Sequence, residues 1–309
     1  MRSGTGSLMA EHAGYAKLVE LEDGAVLNVV ELGSKSGHPL MLLHGGPGLD
    51  HHELRPWLDP LADMGFRLLY VDERGQGASP RVEPASLTMQ VFAHDIDRLA
   101  RALDLGAYGV LGHSFGAFIA LSHALERGSA DQYVISSGVA TTAGLMADVE
   151  REIDAFEPAY LRDQIRKSWA EEPKLKTVEQ AREVSAAQMP FHFWEMGDAY
   201  SRYTQADDTV YAPEVLAHFA ANGYGNFEWI DHLRWISKPM LIIAGRGDRV
   251  CTVERSEEIH REVEGSELVV VEKAAHMTFV EQPKVYLDAV RRWFIRQGAI
   301  PDPNAPPAE

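Results

Sequence analysis

A serine hydroxyl is a weak nucleophile. To react it needs a turn that exposes it, a base to take its proton, and N–H groups to receive charge on the attacked oxygen. The segment Gly112-His113-Ser114-Phe115-Gly116 offers the turn. It has G-x-S-x-G spacing and stands between a strand-like run, "YGVLGHS", and a helical one, "SFGAFIALSHALERG". At a sharp strand-to-helix turn the serine is held in a strained backbone conformation, and its neighbours must lack side chains for the helix to close on the strand. Gly112 and Gly116 meet that need, and Ala117 and Ala120 continue the small face. The helix N-terminus favours negative charge developing there. The plain structural reading of Ser114 is a helix cap.

The base and its orienting group belong downstream, because this turn goes with the chain order Ser, Asp or Glu, His. Asp248 ends "PMLIIAGRGD", and His276 follows "ELVVVEKAA". Both stand at the carboxyl ends of predicted parallel strands, where open α/β sheets gather their sites. His276 is therefore the expected general base and acid. Asp248 is the carboxylate that holds its tautomer and stabilises the imidazolium. "LLHGGPG" (Leu42 to Gly48) follows an earlier strand, and its glycines let the backbone approach a ligand closely. One N–H from Gly45 or Gly46, with that of Phe115, would form an oxyanion hole. Pro47 has no N–H and stiffens the loop. His44, His51 and His52 have no third ligand at a familiar spacing, so no metal is expected. With no Walker A pattern, zinc spacing or dinucleotide fingerprint, no cofactor is expected either.

The elements that must position these residues read as an α/β fold. "YAKLVELEDGAVLNVVEL" alternates and turns at Asp23-Gly24, which predicts a β-hairpin. "PLMLLHGG", "FRLLYVDERG", "YGVLGHS", "QYVISSG", "KPMLIIAGRGD" and "SELVVVEKAAHM" are short, nearly continuous apolar runs, as in parallel strands buried on both faces. Helical patterns lie between them: Phe92, Ile96, Leu99 and Leu103 share one face, as do Leu287, Val290 and Phe294. From Val139 to Ser237 no strong strand run occurs, and four of the six tryptophans (Trp169, Trp194, Trp229, Trp235) fall there. The expected organisation is a core of residues 1–138 and 238–297, a helical insertion at 139–237, and a flexible C-terminal tail at 298–309, Pro-rich from Pro301.

Composition narrows the setting. The 309 residues carry 46 acidic against 29 basic side chains, a net charge of −17 without a basic cluster, so nucleic acid and anionic membrane are excluded as partners. Cys251 is the single cysteine, so no disulfide can form within the chain. The N-terminus lacks the apolar centre of a signal peptide, and no stretch reads as a membrane span. A cytoplasmic location is expected.

Together HGGPG at 44–48, "DERGQGAS" at 72–79, GHSFG at 112–116, "GRGD" at 245–248 and the late His276 resemble the α/β-hydrolase superfamily. Within it they are similar to the proline-iminopeptidase-like branch of serine aminopeptidases. The second motif is close to D-x-R-G-x-G-x-S, matched by Asp72, Arg74, Gly75, Gly77 and Ser79, and Asp72 and Arg74 are read as organising the loops near the oxyanion hole. The resemblance covers nearly all of residues 15–297, the insertion in general character only. It implies an α/β-hydrolase fold with a mostly parallel central sheet and a helical cap over the serine.

In the aminopeptidases of this branch, cap carboxylates bind the substrate's free amino group and an apolar pocket takes the N-terminal proline. This chain departs from that pattern. His218 precedes Phe219 in "HFAANG" where some members have an acid, Arg249 follows Asp248 where some have another, and the turn reads GHSFG where GGSWG or GGSYG is frequent. Glu195, Asp198, Glu228 and Asp231 remain as amine partners. Phe191, Phe193, Trp194, Tyr224, Phe227 and Trp229 are either pocket or cap core. Phe191, Trp194, Glu195, His218 and Trp229 are taken as the substrate-binding set.

The leading reading is a serine hydrolase that works through an acyl-enzyme on an N-terminal aminoacyl amide or a related small amide. A carboxylesterase or lactonase would use the same triad. A non-hydrolytic small-molecule receptor of the same fold would also keep its serine. The expected partner is a small molecule or short peptide.

Overall fold

The alternating apolar runs build one sheet. Its strands are β1 (Tyr15–Glu20), β2 (Val26–Gly33), β3 (His38–Leu43), β4 (Phe66–Asp72), β5 (Gly109–His113), β6 (Gln132–Ser136), β7 (Met240–Gly245) and β8 (Glu267–Val271). The spatial order is β1-β2-β4-β3-β5-β6-β7-β8. The predicted hairpin supplies the antiparallel edge, β1 on β2 and β2 on β4, and all other pairs are parallel. The computed structural model describes residues 14–303 and 305, except Arg127 and Asp207. The N-terminal stretch read above for a signal peptide therefore lies, up to residue 13, outside the described residues, as do Asn304 and 306–309 of the tail.

The continuous apolar runs reflect burial on both faces. In β3, Leu40 and Leu42 join one core cluster while Met41 and Leu43 join the other. Leu111 and Val110 of β5 divide in the same way, as strand geometry requires. One face is covered by α1 (Met89–Ala102), through Phe92, Ile96 and Leu99, and by α2 (Phe115–Leu125). Between β6 and β7 lie α3 (Leu145–Ala155), α4 (Arg162–Glu171), α5 (Val178–His192), α6 (Asp198–Gln205) and α7 (Pro213–Ala221). Beyond β7 come α8 (Val253–Glu262), α9 (Thr278–Glu281) and α10 (Pro283–Arg296). Tyr286, Leu287, Val290 and Phe294 of α10 pack on the face opposite α1. Burying each such side chain contributes about 1.5–3 kcal/mol. Ile300 is buried in that same cluster. The start of the segment expected to be a flexible tail is thus held by the core, because an isoleucine follows the last helix. Among the described residues no helix is long and apolar enough to cross a membrane.

The tightest packing is where α2 meets the sheet. A Cβ on Gly112 would collide with the carbonyl of Gly116, and one on Gly116 would collide with the carbonyls of Leu43 and His44. These atoms are backbone and cannot step aside. Gly116→Val is expected to lower the unfolding free energy by at least about 2 kcal/mol in a urea titration, because overpacking has no flexible neighbour to relax into.

Candidate active site

The site is assembled by strand register. β3 and β5 are parallel neighbours with Leu43 opposite Gly112, so the loops that leave their carboxyl ends emerge side by side. β4 lies on one side of β3 and β6 on the far side of β5, so the chain diverges between them at a switch point of the kind where α/β sheets bind ligands. Ser114 follows β5 at φ 52° and ψ −116°, a conformation that L-residues rarely adopt. Its N–H donates to the Ser136 carbonyl at 2.9 Å. Phe115 opens α2, so its N–H has no acceptor within the helix. The HGGPG loop lies opposite. Gly46 lines a cavity with Ser114, whereas the N–H of Gly45 is taken by the buried carboxylate of Glu53. Of the two glycines expected to serve the oxyanion hole, Gly45 is thus occupied, and Gly46 with Phe115 is the candidate pair.

His276 and Asp248 come together as their positions after β8 and β7 suggested. His276 Nδ1 lies 2.9 Å from Asp248 Oδ2 and 3.1 Å from Oδ1. Asp248 Oδ1 also accepts the N–H groups of Val250 and Cys251, each at 2.9 Å. Burial opposes ionisation of Asp248, but the charge and hydrogen bond of His276 and these two N–H groups outweigh it and hold the carboxyl below its usual range. Burial likewise opposes protonation of His276, and Asp248 outweighs it, so the imidazole is raised above its ordinary value. Since Asp248 accepts only, Nδ1 carries the proton and Nε2 is the free base. His276 and Ser114 line the same cavity, with no hydrogen bond between their side chains. His113 lies beneath His276, ring centroids 4.8 Å apart, its Nδ1 3.3 Å from Ser136 Oγ, and burial keeps it neutral.

The "DERGQGAS" turn clamps the oxyanion loop. His44 pairs with Glu73, Gln76 accepts from the N–H of Gly48, and Asp72 accepts from both the N–H (2.9 Å) and Nδ1 (2.7 Å) of His51. Asp72 also holds Asn28 and the N–H of Ala78. Asp72 therefore organises the loop as expected, but Arg74 does not. Its guanidinium pairs with Asp95 of α1 and with Asp23 of the hairpin turn. Asp50, His51 and His52 are the cluster among the described residues with metal-ligating atoms close together. The Asp50 carboxylate accepts from His52 and from the N–H of Val210, and His51 Nδ1 lies on Asp72.

Two adjoining cavities meet at Ser114. Both are lined by Gly46, Ser114, Glu172, Gln188, His192 and Leu216. One extends past Phe118, Val149, Trp169, Tyr224 and Cys251, the other past Glu53, Tyr203, Tyr211 and His276. None of the five residues expected to bind substrate lines either cavity. Phe191 is packed among Phe156 and Ile165. Trp194 lies half-exposed, its N–H on Glu281. Glu195 is exposed, as is Glu228, which accepts from Thr141. His218 packs edge-on against Phe219, and Trp229 stacks on Phe227 at 3.8 Å. Of the candidate aromatics Tyr224 reaches the site. Sequence reasoning missed Glu53, Glu172, Gln188 and His192. Glu172, in "AEEPK", looks like any acid at a helix end. His192, a lone polar residue inside "PFHFW", left the one available signal.

Burial pushes the Glu172 carboxyl up to about 7, against the hydrogen bonds it receives from Gln188 and Tyr224. Glu53 is raised for the same reason, against the N–H of Gly45. A serine at a strained strand-to-helix turn, a backed imidazole and open N–H groups on a mainly parallel eight-stranded sheet define one class of protein. The family described as alpha/beta hydrolase fold matches residues 38–283, and the chain belongs to it. It is similar to the proline iminopeptidase PfmaB of Pestalotiopsis fici, 27% identical over 280 residues that cover 87% of this chain and 96% of that one. Among solved structures it matches the proline iminopeptidase of Mycobacterium smegmatis (TM-score 0.72, 20% identity, 92% of this chain and 99% of that one). It also matches an esterase from Exiguobacterium antarcticum (TM-score 0.69, 21% identity, 90% and 99%). These structural likenesses speak for the fold, which hosts both activities.

The geometry sets a pH dependence. A base must be neutral to act, and Asp248 raises His276, so turnover of a small nitrophenyl ester should fall with acid through a midpoint above the ordinary 6.5. Asp248→Asn should move that midpoint down and lower the plateau by about 10³- to 10⁴-fold, as read from a pH–rate profile.

Proposed function

We propose that this protein is a serine hydrolase that removes an N-terminal aminoacyl residue from a short peptide or small amide. Ser114 Oγ attacks the carbonyl carbon as its proton passes to His276 Nε2. The N–H groups of Gly46 and Phe115 receive the oxyanion, and Asp248 stabilises the imidazolium. Collapse of the intermediate breaks the C–N bond, and His276 returns the proton to the departing nitrogen. Water then repeats the sequence on the acyl-enzyme.

The observation that carries the substrate class is Glu172. It is a carboxyl buried where both cavities meet beside Ser114, held by the neutral side chains of Gln188 and Tyr224 and by no cation. A buried, unpaired carboxylate is costly, and such groups cluster at sites that supply the missing charge. A substrate ammonium would supply it. This matches the role that the resemblance gives to cap carboxylates, from a position the family pattern did not indicate.

The test is a prolyl anilide with a free amine, its N-acetylated form and a short-chain nitrophenyl ester, assayed with wild type, Ser114→Ala and Glu172→Gln. Wild type should prefer the free amine, Ser114→Ala should lose turnover, and Glu172→Gln should cost about 10- to 100-fold in kcat/KM on the free amine, the worth of a charged hydrogen bond. The preference for the free over the acetylated amine should grow as pH rises through about 7, where Glu172 ionises, and fall again as the substrate amine loses its proton. Taking the ratio cancels the titration of His276. Ester turnover with no anilide cleavage would instead identify a carboxylesterase.

A further inference from the structure

His192 ends α5 and is held from several sides. Its carbonyl accepts the N–H groups of His276 at 3.0 Å and Met277 at 3.3 Å. Arg249 Nη1 donates to the carbonyls on either side of it, Phe191 at 3.2 Å and Phe193 at 2.7 Å. Glu281 ties the same two segments, accepting from Trp194 at 2.6 Å and Ala275 at 2.7 Å. The ring stacks on Trp169, centroids 5.9 Å apart, and meets His276 edge-on at 5.2 Å. The directions of its two nitrogens are therefore set by the fold.

Those nitrogens have opposite roles. Nδ1 lies 3.1 Å from the Gln188 carbonyl, and a carbonyl only accepts, so Nδ1 carries the proton. Nε2 then presents a lone pair, and no side chain or backbone N–H of the described residues donates to it. His192 lines both cavities at Ser114. Burial and the neighbouring His276 push its pKa down to about 4, so the ring stays neutral while His276 holds a proton. Nε2 is not among the side-chain atoms buried without a partner, so it opens on the cavity, where a ligand N–H can donate to it.

Amides and esters differ at this point. In the tetrahedral intermediate of a secondary amide the leaving nitrogen keeps its original hydrogen while it takes a second from His276. The leaving oxygen of an ester has none to offer. We propose that His192 Nε2 accepts the retained N–H of the leaving nitrogen and so makes His192 a specificity-determining residue that favours amides over esters of the same acyl group. This rests on the hydrolase reading above. The C–N bond breaks with its electron pair passing to nitrogen, the proton comes from His276, and His192 neither gains nor loses one.

The measurement is the ratio of kcat/KM for a prolyl anilide to that for the matching prolyl phenyl ester, in wild type, His192→Phe and His192→Gln. A ratio within one variant is insensitive to the fraction of protein that is folded. The ratio should fall about 10- to 100-fold in His192→Phe and return towards wild type in His192→Gln, whose amide oxygen can accept near the Nε2 position. An unchanged ratio in His192→Phe, or a loss in His192→Gln as large as in His192→Phe, overturns the inference while leaving the hydrolase reading intact. Wild-type protein that cleaves the ester alone, or neither substrate, overturns the amidase reading and this inference with it.

Discussion

Helix α2 begins where it does because no side chain stands between Gly116 and the carbonyls of Leu43 and His44. That contact joins the two halves of the site. It brings the turn after β5 against the loop after β3, so that Gly46 and Ser114 line a common cavity and Phe115 follows directly at the start of α2. The strained backbone of Ser114 is tolerated because the strand behind it and the helix ahead of it are both packed on the same core face. A small increase in volume at either glycine would push the turn that carries Ser114 away from the loop after β3.

A loop with unbonded N–H groups must be held by other bonds, and the end of β4 and the turn after it supply them. Glu73, Gln76 and Asp72 each grip a different residue of the segment 44–51, while Glu53 reaches back to Gly45. These groups are all buried and charged or strongly polar. Replacing such a network with apolar residues is often neutral for stability, so its retention fits a need for position. The departure of Arg74 to Asp95 and Asp23 fits the same view: it fastens α1 to the hairpin and leaves the loop to its neighbours.

The helical segment contributes from the opposite side. One group of its contacts with the core lies at residues 191–194, through Arg249, Glu281 and the backbone of His276. Arg249 stands where a carboxylate was sought, and its guanidinium instead secures the carbonyls around His192. The carboxylates that do reach the cavity, Glu172 and Glu53, come from a helix end and from the turn after HGGPG. Amine partners were sought in the second half of the insertion, and the buried carboxylates that line the cavity come from elsewhere in the chain.

How much of this was legible follows from the range of each interaction. The strand runs, the α1 and α10 faces, the turn at Ser114 and the order Ser114, Asp248, His276 are local patterns of period, spacing and residue size, and the sequence carries them directly. The choice between Gly45 and Gly46 depended on a side chain eight residues away folding back onto one N–H. The substrate-side residues depended on which face each helix of 139–237 turns towards Ser114, and that is decided by packing between elements far apart in the chain. Phe191 and His192 are adjacent, yet one fills a core cluster and the other lines the cavity. The sequence by itself determined the fold and the strained turn that carries Ser114, because backbone sterics and hydrophobic periodicity act over a few residues. Only the tertiary structure decided which buried polar groups share that serine's cavity, because burial and partnership are properties of contacts that the chain order does not contain.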